Sequence, residues 1–222
     1  MKIKDLSKVD SKEFDTLLRR IPFYYELENT DPDQFKQLLS FSCIVDLEPG
    51  ETIMRRGDRG TWLYFLIKGR LNVFIEPALK GPAINNITPG ELFGDLALLC
   101  EHQRKATVIA DPQMKEIRLF ATDFKSFGDL EDFSIIKMNT KLIFYRTMVH
   151  SIRWRLEVNR MENPEHPLVN QLRRIPLFVG EKNTLEELNG LYKQAQYMAD
   201  LLDRWNQHGP QIQDILCAPS QA

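Results

Sequence analysis

Between residues 41 and 122 the chain is cut into short β-type segments by glycine and proline. "CIVDLE" precedes Pro49-Gly50, "TIMRR" precedes Gly57-Asp58-Arg59-Gly60, and "WLYFLIKG" leads into "RLNVFIE". "AINNIT" follows, then Pro89-Gly90, "KATVIA" and "KEIRLF". Many short strands separated by turns at fairly even spacing predict a β-sandwich or barrel. This pattern restricts the fold more than any other feature of the chain.

Helical patterns flank it on both sides. Residues 11–40 read as helical: Ser11 is an N-cap candidate, Phe14, Leu17 and Leu18 share one face, and Pro22 stops the run. A second helix follows in "TDPDQFKQLLSF", with Thr30 or Asp31 as cap and Pro32 near the first turn. Beyond the strands, residues 127–162 carry a long helical pattern. Ile135, Met138, Leu142, Tyr145, Val149, Ile152 and Leu156 follow alternating steps of three and four, the seam of a left-handed coiled coil. The expected product is a parallel homodimer through residues 135–156; one wide stripe packed inside the monomer is the alternative. Ile136, Ile143, Phe144 and Met148 form a second apolar set expected to face the β-domain. "NPEHP" at 163–167 ends the helix, and Thr184 with Glu187 opens another as a capping box. "LRRIP" at 18–22 recurs at 172–176, and Asn29-Thr30 recurs at the same offset as Asn183-Thr184.

Composition narrows the function classes. The chain has 29 Lys and Arg against 31 Asp and Glu, a formal charge of −2. It lacks the basic excess usual in nucleic-acid binders. No apolar run approaches the ~18 residues a membrane helix needs, and the polar start "MKIKDLSKVD" is unlike a signal peptide, so a cytoplasmic protein is expected. Cys43, Cys100 and Cys217 are too far apart for a zinc site and read as buried thiols. His102, His150, His166 and His208 also lack metal-ligand spacing. Neither a metal nor a cofactor is expected, and no nucleophile–base set argues for an enzyme.

The segment "GELFGDLALLCEHQRKATV" at 90–108 combines a glycine, an acid, a short apolar run and an arginine. Gly94 permits close backbone approach to a ligand, and Asp95-Leu96-Ala97-Leu98-Leu99 can form a short helix. Its first N–H groups would favour an anion, and Arg104 would add a charge-assisted pair. Together, "PGETIMRRGDRGTWLYFLIKGRLNVF" and "PGELFGDLALL…RKATVIA" resemble the cyclic-nucleotide-binding domain over about Leu17 to Phe127. The domain is shared by the catabolite activator protein family, protein kinase A regulatory subunits and cyclic-nucleotide-gated channels. The resemblance implies Arg104 as phosphate partner, Asp95 as ribose partner, and Gly94, Leu96 and Ala97 as backbone donors, with Lys105 and Ala106 completing the site.

Two positions depart from the family pattern. Asp95 stands where the family usually has Glu, and Lys105 where it usually has Ser, Thr or Ala. Lys105 can point inward toward the anion or outward to solvent. The tail after 163 has no strand pattern for a wing and no recognition helix, so DNA binding is not expected.

The expected architecture is α+β: an antiparallel, jelly-roll-like β-roll with flanking N-terminal helices, a long C-terminal dimerisation helix and a helical tail. The segments are 1–126, 127–162 and 163–222. The expected function is a non-enzymatic cytoplasmic sensor. It binds cyclic AMP or cyclic GMP and relays its state through the long helix to a protein effector. A degenerate roll acting as a ligand-independent dimeric scaffold is the alternative, and an atypical DNA-binding regulator is a more distant one.

Overall fold

The glycine-punctuated segments fold into two antiparallel sheets. The computed structural model describes residues 1–6, 18–19, 21–75, 83–99 and 103–208. Strands β1 (Lys2–Asp5), β2 (Ser42–Leu47), β3 (Thr52–Met54), β4 (Trp62–Lys68), β5 (Leu71–Phe74) and β6 (Asn85–Ile87) are followed by β7 (Leu92–Phe93), β8 (Thr107–Ala110) and β9 (Ile117–Asp123). One sheet has the order β1-β2-β9-β4-β7, and the other β3-β8-β5-β6. Leu66, Leu71, Val108, Ala110, Leu119 and Ala121 fill the space between them. The fold is α+β, and the roll is the expected one. Strand β1 is an addition that apolar alternation could not reveal, since all four of its residues are exposed. It is held by main-chain pairing to β2 and by Lys4 against Asp46 at 2.7 Å.

Pro22 does not end a helix; it opens α1 (Pro22–Thr30) in the first turn, where its missing N–H costs nothing. The helix expected over 11–17 lies outside the described residues. Asp31 caps α2 (Pro32–Leu39), accepting from the Gln34 N–H at 3.2 Å. Phe23 and Tyr24 of α1 pack edge-on against Phe144 and Phe120. The Tyr24 hydroxyl is 2.5 Å from that of Thr122, and burial pushes its pKa up to about 12.

The long helix is shorter than its periodicity suggested. A 3₁₀ turn (Phe124–Phe127) follows β9, and α4 spans Met138–Glu162 rather than beginning near 127. Lys141 explains the late start. It is buried, and its ammonium donates to the carbonyls of Asp129, Leu130 and Asp132 at 2.5, 3.3 and 2.7 Å. Those carbonyls are thereby turned out of helical geometry. Burial pulls the Lys141 pKa down, with Asp132 and Asp129 partly offsetting it. Gln34 fixes the same junction, donating to the Ile135 carbonyl at 3.1 Å and accepting from the Lys137 N–H at 2.8 Å.

The seam also meets a different partner. After α5 (Val169–Leu172), α6 (Leu185–His208) runs parallel to α4. Arg146 pairs with Glu187 near both helix starts, Tyr145 packs edge-on to Tyr192, and His166 stacks on Trp205 at the far end. Helix α6 has its own three–four seam: Leu188, Leu191, Ala195, Met198, Leu202 and Trp205, all buried. Leu142, Ile152 and Leu156 are completely buried within one chain, while Ile135 precedes the helix and is exposed. On the face expected to form the homodimer through 135–156, these seam residues pack against the chain's own tail helix, in the parallel geometry the heptads favour. Ile136, Ile143, Phe144 and Met148 pack toward the roll as expected.

The expected capping box is present. The Thr184 hydroxyl accepts from the Glu187 N–H at 3.1 Å, and the Glu187 carboxylate accepts from the Asn183 N–H at 2.6 Å. Both "LRRIP" copies bury their leucine and isoleucine, Leu18 with Ile21 and Leu172 with Ile175, in one core. They part ways afterwards: the first continues into α1, whereas Leu177 and Val179 are extended and exposed ahead of Gly180. Cys43 is a half-buried free thiol. Cys100, Cys217 and His102 lie outside the described residues.

Candidate functional site

A cavity of about 830 Å³ lies between the roll, α4 and α6. All seven residues singled out from the sequence line it: Gly94, Asp95, Leu96, Ala97, Arg104, Lys105 and Ala106. The short helix α3 (Asp95–Leu99) forms where the sequence placed it, directly after β7 and Gly94. Its first N–H groups have no intrahelical acceptor. Val73, Ile84, Ile87 and Val108 supply an apolar wall.

The local fold brings Arg104 to this wall. Its N–H donates to the Asp58 carbonyl and its carbonyl accepts from the Gly57 N–H, each at 2.8 Å. That pairing turns the side chain beneath α3. Arg104 is 5% exposed, and its guanidinium donates to the Gly94 carbonyl at 2.9 Å and the Trp62 carbonyl at 2.8 Å. It lies 5.7 Å from the centre of the Tyr64 ring. Two glycines make the room. A Cβ on Gly60 would stand 2.5 Å from Nη2, and one on Gly94 would stand 2.7 Å from Nη1. Gly94 also has φ +84°, a region other residues rarely adopt. No carboxylate among the described residues forms an ion pair with Arg104. Burial pulls its pKa down, and Tyr64, Asp95 and Asp58 partly restore it.

The other two charged residues are engaged. Asp95 is 1% exposed and forms a two-pronged ion pair with Arg155 of α4, whose Nη1 is 3.4 Å from Oδ1. The Arg155 Nε is buried without a hydrogen-bond partner. Lys105 points neither into the roll nor freely to solvent; its Nζ lies 3.6 Å from Asp203 of α6. The sequence reading missed the helix-borne part of the site: His150, Trp154 and Arg155 from α4, with Leu202 and Asn206 from α6. Trp154 is largely exposed despite its size, an off-seam aromatic that was the available signal.

The cavity thus combines an apolar wall, a buried cation and the start of a short helix. Among the described residues no group of His, Cys, Asp and Glu could hold a metal ion. Nor is any helix there long and apolar enough to cross a membrane.

Fold and site define a β-roll with a short helix and a buried arginine beside β7, at the edge of one sheet. Residues 44–129 match the Cyclic nucleotide-binding domain family. A cGMP-dependent protein kinase of Plasmodium berghei is 27% identical over 131 residues, which are 59% of this chain and 14% of the kinase. A cAMP-dependent protein kinase regulatory subunit of Yarrowia lipolytica is 27% identical over 104 residues, 47% of this chain and 27% of the relative. The chain therefore spans only a minor part of these curated relatives. A solved protein from Geobacter metallireducens, assigned to cyclic-nucleotide binding, superposes with a TM-score of 0.52 at 20% identity. That match covers 67% of this chain and 99% of the other, and it supports the fold alone.

Proposed function

We propose that the chain is a non-enzymatic sensor that binds a cyclic nucleotide in the cavity between the roll, α4 and α6. The ligand is cyclic AMP or cyclic GMP, and the occupied state passes through α4 and α6 to a protein partner. The observation that carries this reading is Arg104: a buried guanidinium facing carbonyl oxygens, with no carboxylate among the described residues paired to it. A phosphate would supply the missing counter-charge. Gly94, Leu96 and Ala97 would contribute main-chain contacts, and Ala106 would leave space beside the base. The exposed Trp154 ring offers a stacking face for that base. Similarity to cyclic-nucleotide-dependent kinases and their regulatory subunits supports the ligand class. In this reading 1–126 senses, 127–162 transmits and 163–222 responds, and the setting is the cytoplasm.

Asp95 takes a double role. To accept a ribose hydroxyl it must share its oxygens with Arg155, so ribose recognition and the grip of α4 on α3 are coupled. Asp95→Ala should therefore weaken cyclic AMP more than its 2′-deoxy analogue, while loosening α4 for both. Equal losses for the two ligands would assign Asp95 to the α4 contact alone.

A ligand-independent scaffold is the second reading. It is favoured by the ion pairs that already occupy Asp95 and Lys105. Calorimetric titration of the whole chain with cyclic AMP, cyclic GMP and cyclic di-GMP separates the two. Saturable heat with a cyclic mononucleotide supports the sensor. Absence of binding up to millimolar ligand removes it and leaves the scaffold.

A further inference from the structure

The position after Arg104 carries a lysine, and its only ion-pair partner among the described residues sits on the tail helix. Lys105 and Asp203 are 27% and 15% exposed, and they face each other at 3.6 Å. That separation is too long for a hydrogen bond, so the pair is Coulombic and exchangeable. Lys105, Leu202 and Asn206 line the same cavity, so an anion entering it comes between the cassette and the last turns of α6. Arg104 is wedged between Gly60 and Gly94, whereas Lys105 is a flexible cation able to follow an incoming charge.

We infer that Lys105 is a latch for which Asp203 and the ligand's anionic group compete, so that filling the cavity loosens the end of α6. The inference rests on the sensor reading above. When the phosphate recruits Lys105, Asp203 loses its cation and its half-buried carboxylate is drawn toward water. Leu188, Leu191, Ala195 and Met198 anchor the upper part of α6, and Leu201, Leu202 and Trp205 keep the last turns docked, so the change is a loosening around Asp203 and not a release of the helix. The response is therefore confined to about the last two turns, 200–208. Coupling is reciprocal: whatever the ligand takes from the latch, an opened latch returns to the ligand.

Hydrogen exchange across 200–208, read on the whole chain beside calorimetry, tests this. Saturating cyclic AMP should accelerate exchange there roughly two- to five-fold, the factor one partly exposed ion pair carries. Adenosine, which lacks the phosphate, should not. Asp203→Asn should exchange fast without ligand and bind cyclic AMP tighter by the same factor. Lys105→Met should also exchange fast, with no further response to ligand. The swap Lys105→Asp with Asp203→Lys should restore protection and abolish the response. Binding that leaves exchange unchanged or slows it overturns the latch and spares the sensor. Calorimetry that detects no binding of cyclic AMP or cyclic GMP overturns both.

Discussion

The seam between α4 and α6 and the wall around Arg104 are equally buried, yet they are finished in different ways. Along the seam, Leu142, Ile152 and Leu156 meet Leu188, Leu191 and Met198, and the charged pair at its edge, Arg146 with Glu187, is complete. At the wall, a guanidinium is enclosed by two glycines and, among the described residues, bonded only to carbonyl oxygens. Carbonyl dipoles soften the cost of burying a full charge but do not neutralise it. A surface built only for stability is closed like the seam. In the proposed reading, a bound anion completes the wall.

Breaking the seam should have the largest effect. Leu142→Asp places an unpaired charge where nothing is exposed, and should cost about 3–5 kcal/mol, read as a lowered denaturation midpoint. Because the seam is filled from within, the wild-type chain should scatter light as a monomer at micromolar concentration. A stable dimer that Leu142→Asp dissociates without unfolding would restore the intermolecular seam.

Closing the wall should come next. Gly94→Ala meets an unfavourable φ and pushes a methyl group into Arg104, so it should cost about 1–3 kcal/mol of stability. Cyclic-nucleotide affinity should fall as well, since the guanidinium must leave its cradle. Unchanged stability and affinity would show that the cradle is slack.

The smallest effect concerns the edge of the seam. Hydrogen bonding from Arg146 holds the Glu187 carboxyl below its ordinary value, with the Asn183 N–H assisting. A depressed pKa contributes stability above the unfolded-state value of 4.5, and that contribution is lost as pH falls through the folded value. Thermal scans from pH 6 down to about pH 3 should show a steeper acid loss in wild type than in Glu187→Gln. Parallel profiles would mean that the pair adds nothing to α6 docking.

Much of this was legible in the sequence because glycine and proline mark the turns of the roll. The segments around β4, β5, β8 and β9 were found that way. Strand β1 was not, since Lys2 and Lys4 show no apolar face, and β7 is only two residues long. The stretch 127–137 falls within the expected helix, although the three–four seam itself begins only at Ile135. What interrupts it is Lys141, through carbonyls whose orientation no periodicity reports. The heptads of α4 give a seam geometry but cannot name the partner, because periodicity is indifferent to whether the second helix belongs to the same chain. The cassette was visible as a local motif. Trp154, Arg155 and Leu202 were not, since only the packing of α4 and α6 brings them to it.

The most direct measurement is the affinity of cyclic AMP and cyclic GMP for wild type and for Arg104→Gln, by calorimetry. Glutamine keeps a donor for the Gly94 and Trp62 carbonyls and removes the charge. The charge-assisted contact is worth about 1.5–3 kcal/mol, so affinity should fall roughly 10- to 150-fold. Adenosine, lacking the phosphate, should bind both proteins alike. A cyclic nucleotide that binds wild type and Arg104→Gln with equal affinity would contradict the assignment of Arg104 as the anion's partner.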